Sequence, residues 1–344
     1  MRVFCSGISG AGASSYIAKV VEHAQAKGET IKVFDVGKEV LQAAERYGRP
    51  VTSAGILDLS TTSLRYLTGA VYERIAGEID QYPNCIIDGH INFRWRGTLT
   101  TVVTPEMVGP LNPDVYVTVM NLGRSIYTEL KDGRDVHNQW KAEVENGNIT
   151  VANILDWQNM EVKMTEQFAG AGLSRKKMYV LPSQDSPDSL YKIVTRRTTD
   201  GKSGVEVAYV SFPITSIKDD EESRQKIYHF VEGLRSFRNL AVVSPKALVL
   251  PADPSTIENQ HTVMQDLEWF VEKADSRIFV CFPKKVRSRG VEHESIRAKE
   301  SGKQVWFTAP PEMKDPFTDS AIHYRFYSPE ECIEKLVKSG MERD

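Results

Sequence analysis

Four cysteines in 344 residues, Cys5, Cys85, Cys281 and Cys332, sit in apolar stretches without paired spacing, which excludes a disulfide framework and reads as reduced thiols. Seven histidines offer no metal cage either, since no second His or Cys stands at ligand spacing from His293. No apolar run is long enough to cross a bilayer, and the N-terminal apolar stretch is too short for a signal peptide. Neither sign of charge dominates: 43 basic and 46 acidic residues leave a net charge of −3, which argues against general nucleic-acid binding. No repeat and no low-complexity segment is evident. The expectation is a cytoplasmic protein without membrane attachment, whose length suits two hydrophobic cores.

The polar stretch Thr195-Arg-Arg-Thr-Thr-Asp-Gly-Lys-Ser-Gly204 is read as the boundary, giving domains 1–195 and 205–344. Before it, strands are expected at 2–6, 31–35, 84–88, 114–120 and 177–181, with helices near 14–27, 37–47, 62–80 and 151–169. After it, strands are expected near 207–212, 240–243, 247–250, 277–282 and 304–307, with helices at 221–235, 261–273, 291–301 and 329–339. Short β-branched runs alternating with amphipathic segments predict two α/β domains with mainly parallel sheets.

In the second half, Gln265-Asp-Leu-Glu-Trp269 precedes an apolar strand, a basic loop and Ser288-Arg-Gly-Val-Glu-His-Glu294. Gly290 is expected to open a helix with Glu294 in its first turn, and Asp266 to start the helix before. Two carboxylates then converge at the carboxyl end of a strand, where open α/β sheets bind ligands. That pairing suits scission of an N-glycosidic bond. Positive charge builds on the anomeric carbon, so Glu294 would stabilise or attack it, while Asp266, raised in pKa by a like charge and desolvation, would protonate the leaving base. A carboxylate in a first helical turn also serves simply as a cap or a dipole partner, and His293 reads as a surface residue.

These residues resemble the nucleoside 2-deoxyribosyltransferase superfamily, most closely its 2'-deoxynucleoside 5'-monophosphate N-glycosidase branch, over roughly residues 205–310. The resemblance implies that Tyr209, in Val207-Ala-Tyr-Val-Ser-Phe-Pro213, orients the catalytic glutamate and that Ser288 meets the 5'-phosphate. With Arg287 and Gly290, Ser288 forms the expected substrate-binding set, and Lys285 adds to the anion pocket. The chain departs from the family pattern at Phe212, which stands in place of a glycine, and at the charged residues Arg289, Glu292 and His293. Relatives commonly complete one site with a partner subunit, which implies a homodimer or higher oligomer using the aromatic segment Gln265–Val271. No cofactor is expected at this site.

At the other end, a strand leads into Gly7-Ile-Ser-Gly10-Ala-Gly12-Ala13-Ser14-Ser15 and an amphipathic helix. That is the order of a phosphate cradle, with backbone N–H groups and a helix N-terminus facing an anion. The usual lysine is replaced by Ala13. With Val33-Phe-Asp-Val-Gly-Lys-Glu39, Cys85-Ile-Ile-Asp88-Gly-His90 and Leu111-Asn-Pro-Asp-Val-Tyr-Val117, the loop resembles archaeal-type adenylate kinases and other P-loop nucleoside monophosphate kinases over about residues 1–190. The resemblance implies a site for ATP or another purine nucleotide with Mg²⁺, the metal held by Ser14 and Asp88. Arg94, Arg124 and Arg134 are the candidate phosphate-gripping arginines, with Arg96 and Lys131 nearby.

The reading is therefore an enzyme that cleaves or transfers the base of a nucleotide through Glu294, beside a nucleotide-binding domain. The alternatives are a nucleotide-sensing regulatory protein and a working nucleoside monophosphate kinase with a C-terminal binding module.

Overall fold

Val3, Phe4 and Cys5 have no exposed surface, because the strand they form, β1 (Arg2–Ser6), lies at the centre of a five-stranded sheet. β2 (Lys32–Asp35), β3 (Cys85–Gly89), β6 (Val115–Met120) and β7 (Lys177–Pro182) complete that sheet in the order β2-β3-β1-β6-β7, every pair parallel. Strands buried on both faces need the continuous apolar runs seen here rather than alternation. The structure is a computed structural model that describes residues 1–48, 50–52, 55–133, 138–172, 175–196, 204–244, 258, 261, 265–313 and 316–344.

By their contacts the residues form two units, Met1–Pro187 and Asp188–Arg196 with Gly204–Asp344. The expected division at 195 thus runs on the far side of the helix Pro187–Thr195, which belongs with the second unit. The reason is chemical: Lys192, wholly buried, donates to the carbonyls of Arg235 (2.5 Å), Phe237 (2.9 Å) and Leu240 (3.2 Å) and pairs with Asp188 at 2.8 Å. Ser189 donates to the Val242 carbonyl at 2.8 Å.

In the first unit, helices start at identifiable caps. Asp35 accepts from the Lys38 amide to open Val36–Arg46, Ser60 from Ser63 to open Thr61–Glu78, and Thr150 forms a capping box with Asn153 to open Val151–Gly170. Several elements were not expected, among them a hairpin and two helices. β4 (Asn92–Trp95) and β5 (Thr98–Thr101) form an antiparallel hairpin, and helices Gly123–Asp132 and Asn138–Glu145 pack Ile126, Leu130, Trp140 and Val144 against Trp157.

The second unit is another five-stranded parallel sheet, ordered β12-β11-β10-β8-β9. Its strands are β8 (Glu206–Ser211), β9 (Leu240–Val243), β10 (Arg277–Cys281), β11 (Gln304–Thr308) and β12 (Tyr324–Phe326), the last not expected. Ala208, Val210, Phe279 and Cys281 face a core closed by Phe230 and Leu234 of helix Glu221–Arg235 and by Leu336 of helix Pro329–Lys338. The expected strand 247–250 lies outside the described residues. The expected helix 261–273 is, over Asp266–Val271, a wide turn in which the Glu272 amide reaches five residues back to the Leu267 carbonyl at 3.0 Å.

All four cysteines are buried and free. Desolvation pushes the thiols of Cys5 and Cys281 well up, and lifts Cys85 to about 11 and Cys332 to about 12, so none is a reactive thiolate at neutral pH.

Candidate functional sites

The first unit carries the glycine loop between β1 and helix Ala13–Ala26. Gly12, the residue before the helix, has φ +85°, a left-handed conformation that suits glycine, and a side chain there would meet the Ser183 hydroxyl at 3.4 Å. A side chain at Gly7 would approach the Val119 carbonyl to 2.9 Å, so glycine lets β1 exit tight against β6. Ala13, Ser14 and Ser15 then fall in the first helical turn, whose amides have no intrahelical acceptor and point toward any anion on the loop. Gly10, Gly12, Ala13, Ser14 and Ser15 all line a cavity of about 560 Å³, a size that admits a nucleotide-sized ligand.

Ser14 donates to Asp88 at 2.8 Å, joining the loop to the carboxyl end of β3, which pairs with β1. Burial raises the Asp88 carboxyl above its ordinary range, against the pull of His90 and of the Ser14 hydrogen bond. A hydroxyl and a carboxylate are hard oxygen donors, the kind Mg²⁺ takes alongside phosphate oxygens and waters, so the pair fits the implied metal. Among the described residues no cluster of three or more His, Cys, Asp or Glu forms a metal cage. His90 hydrogen-bonds the Gly7 carbonyl through Nδ1 and lines the cavity beside Asp88.

The expected arginines are arranged differently. Arg94 lies in β4 rather than a loop, and because side chains alternate along a strand it is Phe93, not Arg94, that lines the cavity. Arg96 pairs with Asp58 at 2.7 Å and covers the Trp95 ring. Arg124 sits at the start of helix Gly123–Asp132, whereas the cavity is lined from the other end by Glu129, Leu130 and Gly133. Arg134 lies outside the described residues.

Glu161 ties the segment after β3 to a helix. Fully buried on helix Val151–Gly170, it accepts from the amides of Ile91 (2.9 Å) and Asn92 (3.0 Å) and from the Asn92 side chain (2.9 Å). Trp157 donates to the Asn92 carbonyl at 3.0 Å. The chain leaving β3 past Asp88 and His90 is thereby fixed to the helix. Desolvation outweighs these hydrogen bonds and lifts the Glu161 carboxyl to about 7.

In the second unit, the strand order reverses between β8 and β10, the crevice at which open α/β sheets hold ligands. Tyr209 and Ser211, two apart on β8, point to the same face. Both meet Glu294. The Tyr209 hydroxyl donates to Oε1 at 3.4 Å and the Ser211 hydroxyl donates to Oε2. Glu294 is 8% exposed. Tyr209 is itself held by a parallel stack on Phe270, ring centres 5.9 Å apart.

The helix bearing Glu294 runs Arg289–Glu300 with Ser288 as its N-cap, so Glu294 falls in the second turn and not the first. That corrects the capping reading: Glu292 is the acidic residue of the first turn, while Glu294 is turned inward to β8. Ser288 accepts from the Val291 amide at 3.5 Å, which leaves its hydroxyl proton available to a ligand at a helix N-terminus. Gly290 lies in the first turn, and Arg287, Lys285 and His293 are exposed. Lys284 is committed to Asp220 at 2.5 Å. Asp266 begins the wide turn next to Leu267, and its side chain lies outside the described residues. Trp269, Phe270 and Val271, expected to offer a dimer surface, are 4%, 3% and 0% exposed within the unit.

Ser211 is the residue that sequence reading passed over. Its signal was the two-residue period from Tyr209. Lys38 was passed over too: it lines the glycine-loop cavity from the first turn of helix Val36–Arg46.

No family model and no curated protein matches the chain. Among solved structures, a shikimate kinase from Bacteroides thetaiotaomicron aligns at 11% identity over 53% of this chain and 86% of its own, with a TM-score of 0.34. A sugar kinase from Janibacter sp. aligns at 15% identity over 56% and 90%, TM-score 0.28. An uncharacterized protein from Eubacterium ventriosum aligns at 10% over 56% and 95%, TM-score 0.27.

Proposed function

We propose that this protein is a nucleotide-handling enzyme whose second unit breaks the N-glycosidic bond of a nucleoside 5'-monophosphate through Glu294, and whose first unit binds a purine nucleotide with Mg²⁺. The observation that carries the reading is the buried Glu294, each carboxylate oxygen engaged by a hydroxyl of β8, at the reversal point of a parallel sheet. Two hydroxyl donors on one face of β8 orient the carboxylate at that crevice.

As the bond from the anomeric carbon to the base breaks, its electron pair leaves on the base nitrogen. Glu294 faces the positive charge that develops on the sugar and either stabilises it or forms a glycosyl ester that water or a second base then resolves. Asp266 is assigned the proton delivered to the departing base. The 5'-phosphate is assigned to Ser288 and the helix N-terminus behind it, with Arg287 and Lys285 supplying charge. A screen of nucleosides and nucleoside 5'-monophosphates for free base, read by chromatography, tests the reading. Base release should favour the monophosphate, and release from none of them would end it.

A second reading draws on the 560 Å³ cavity over the glycine loop: the first unit transfers phosphate and the second only binds. Ala13 removes the point charge that travels with the transferred group, and phosphoryl transfer depends almost wholly on such charge and positioning. We therefore assign the first unit to binding, with transfer slow. A coupled assay for ADP, reading turnover in the ordinary range of about 1–100 per second, would favour the second reading.

A further inference from the structure

We propose that Lys38 contacts a phosphoryl group of the nucleotide bound in the first unit, adding to ground-state binding from an element other than the loop that carries Ala13; the inference rests on the nucleotide reading of that cavity. Three observations carry it. Lys38 lines the same cavity as Gly10, Gly12, Ser14 and Asp88, although it comes from a different element, the first turn of helix Val36–Arg46. Among the described residues lining that cavity it is the only lysine or arginine, set against Asp35, Asp88 and Glu129. Its ammonium has no partner among the described residues, whereas neighbouring cations are taken: Arg96 by Asp58, and Arg74 by Glu39 and Glu78.

The backbone from which Lys38 projects is fixed. Its amide donates to Asp35 Oδ1 at 2.9 Å, and the register of β2 with β3 sets Asp35 directly beside Asp88. A lysine starting from this rigid turn has four methylenes to carry its charge toward the loop, and an ammonium is a compact phosphate partner that needs no fixed fork geometry. Lys38 is exposed, so its ammonium is free to swing from the rim of the cavity toward a bound phosphate. The carboxylates around it also have a use, since they need a cation or metal before a polyphosphate can approach.

The test is calorimetry on the full chain with Mg²⁺, titrating ATP, AMP and adenosine into wild type, Lys38→Met and Lys38→Arg. A hydrogen bond to a charged group is worth roughly 1.5–3 kcal/mol, so Lys38→Met should weaken phosphate-bearing ligands by about tenfold or more while adenosine is unchanged. Lys38→Arg should keep most of the affinity. A loss confined to ATP assigns Lys38 to a donor phosphate, and a loss confined to AMP assigns it to an acceptor phosphate. Equal weakening of adenosine and ATP, or no weakening of either, overturns the role of Lys38 while leaving the nucleotide site standing. Failure of the wild type to bind any of the three overturns both.

Discussion

Ser211 shows how a site is assembled from side chains that say little individually. A serine ending an apolar strand reads as a turn residue, and only the two-residue period of β8 reveals that it shares a face with Tyr209. Its hydroxyl on Glu294 Oε2 helps to hold the carboxylate in place. Removing one such charge-assisted hydrogen bond is worth about 1.5–3 kcal/mol. Ser211→Ala should therefore slow base release by about tenfold or more, with Ser211→Thr restoring part of the rate; an unchanged rate would reduce Ser211 to packing. At this scale the sequence was partly legible. The structure brings Tyr209 to Glu294 and Ser14 to Asp88. Arg94 and Arg124 do not reach the cavity, because strand alternation and the end of a helix, not proximity in sequence, decide which side chain lines it. Lys38 escaped notice for the same reason, standing more than twenty positions from the glycine loop.

Secondary elements were legible where burial on both faces forces an apolar run, as in β1, β3, β6, β8 and β10, and illegible where side chains mix. The hairpin β4–β5 carries Arg94, Arg96 and three threonines, with neither an apolar run nor a clean alternation to mark it. It is held by Glu161, a residue that no pattern in the sequence singles out. That carboxyl titrates near 7 in the folded chain against an ordinary value of 4.5. A raised carboxylate value means that the folded state holds the proton longer than the unfolded one, so the contribution is fully present below about pH 4.5 and is lost as pH rises through 7. The stability difference between wild type and Glu161→Gln, from urea unfolding, should fall by on the order of 3 kcal/mol between pH 4.5 and 7.5. A difference independent of pH would mean that Glu161 is ionised throughout. The helix Pro187–Thr195 makes a second point about elements. Lys192 closes the carbonyl end of helix Glu221–Arg235 from a distant stretch of chain. Lys192→Met removes the donor to those carbonyls and the ammonium paired with Asp188, and should lower the stability of the full chain by about 3 kcal/mol or more in the same unfolding measurement.

For the whole molecule, composition and length anticipated two α/β cores, while the place of division depended on a buried lysine that the polar stretch after it concealed. A fragment beginning at Ser186 should accordingly melt cooperatively and at a higher temperature than one beginning at Gly204, which lacks Lys192 and Ser189; equal melting temperatures would show that the helix is dispensable to that unit. On the proposed reading both units handle one class of ligand, with Glu294 in the bond-breaking step. Glu294→Gln keeps the size of the side chain and most of its hydrogen bonding but removes the charge that faces the developing cation. Electrostatic stabilisation of this kind contributes about 3 kcal/mol or more, roughly a hundredfold or greater in rate. The decisive measurement is chromatographic release of free base from a nucleoside 5'-monophosphate by wild type and Glu294→Gln side by side, with circular dichroism verifying that both are folded. Wild type should release base and the variant should lose at least a hundredfold, whereas a folded Glu294→Gln that retains most of the activity would remove Glu294 from the chemistry.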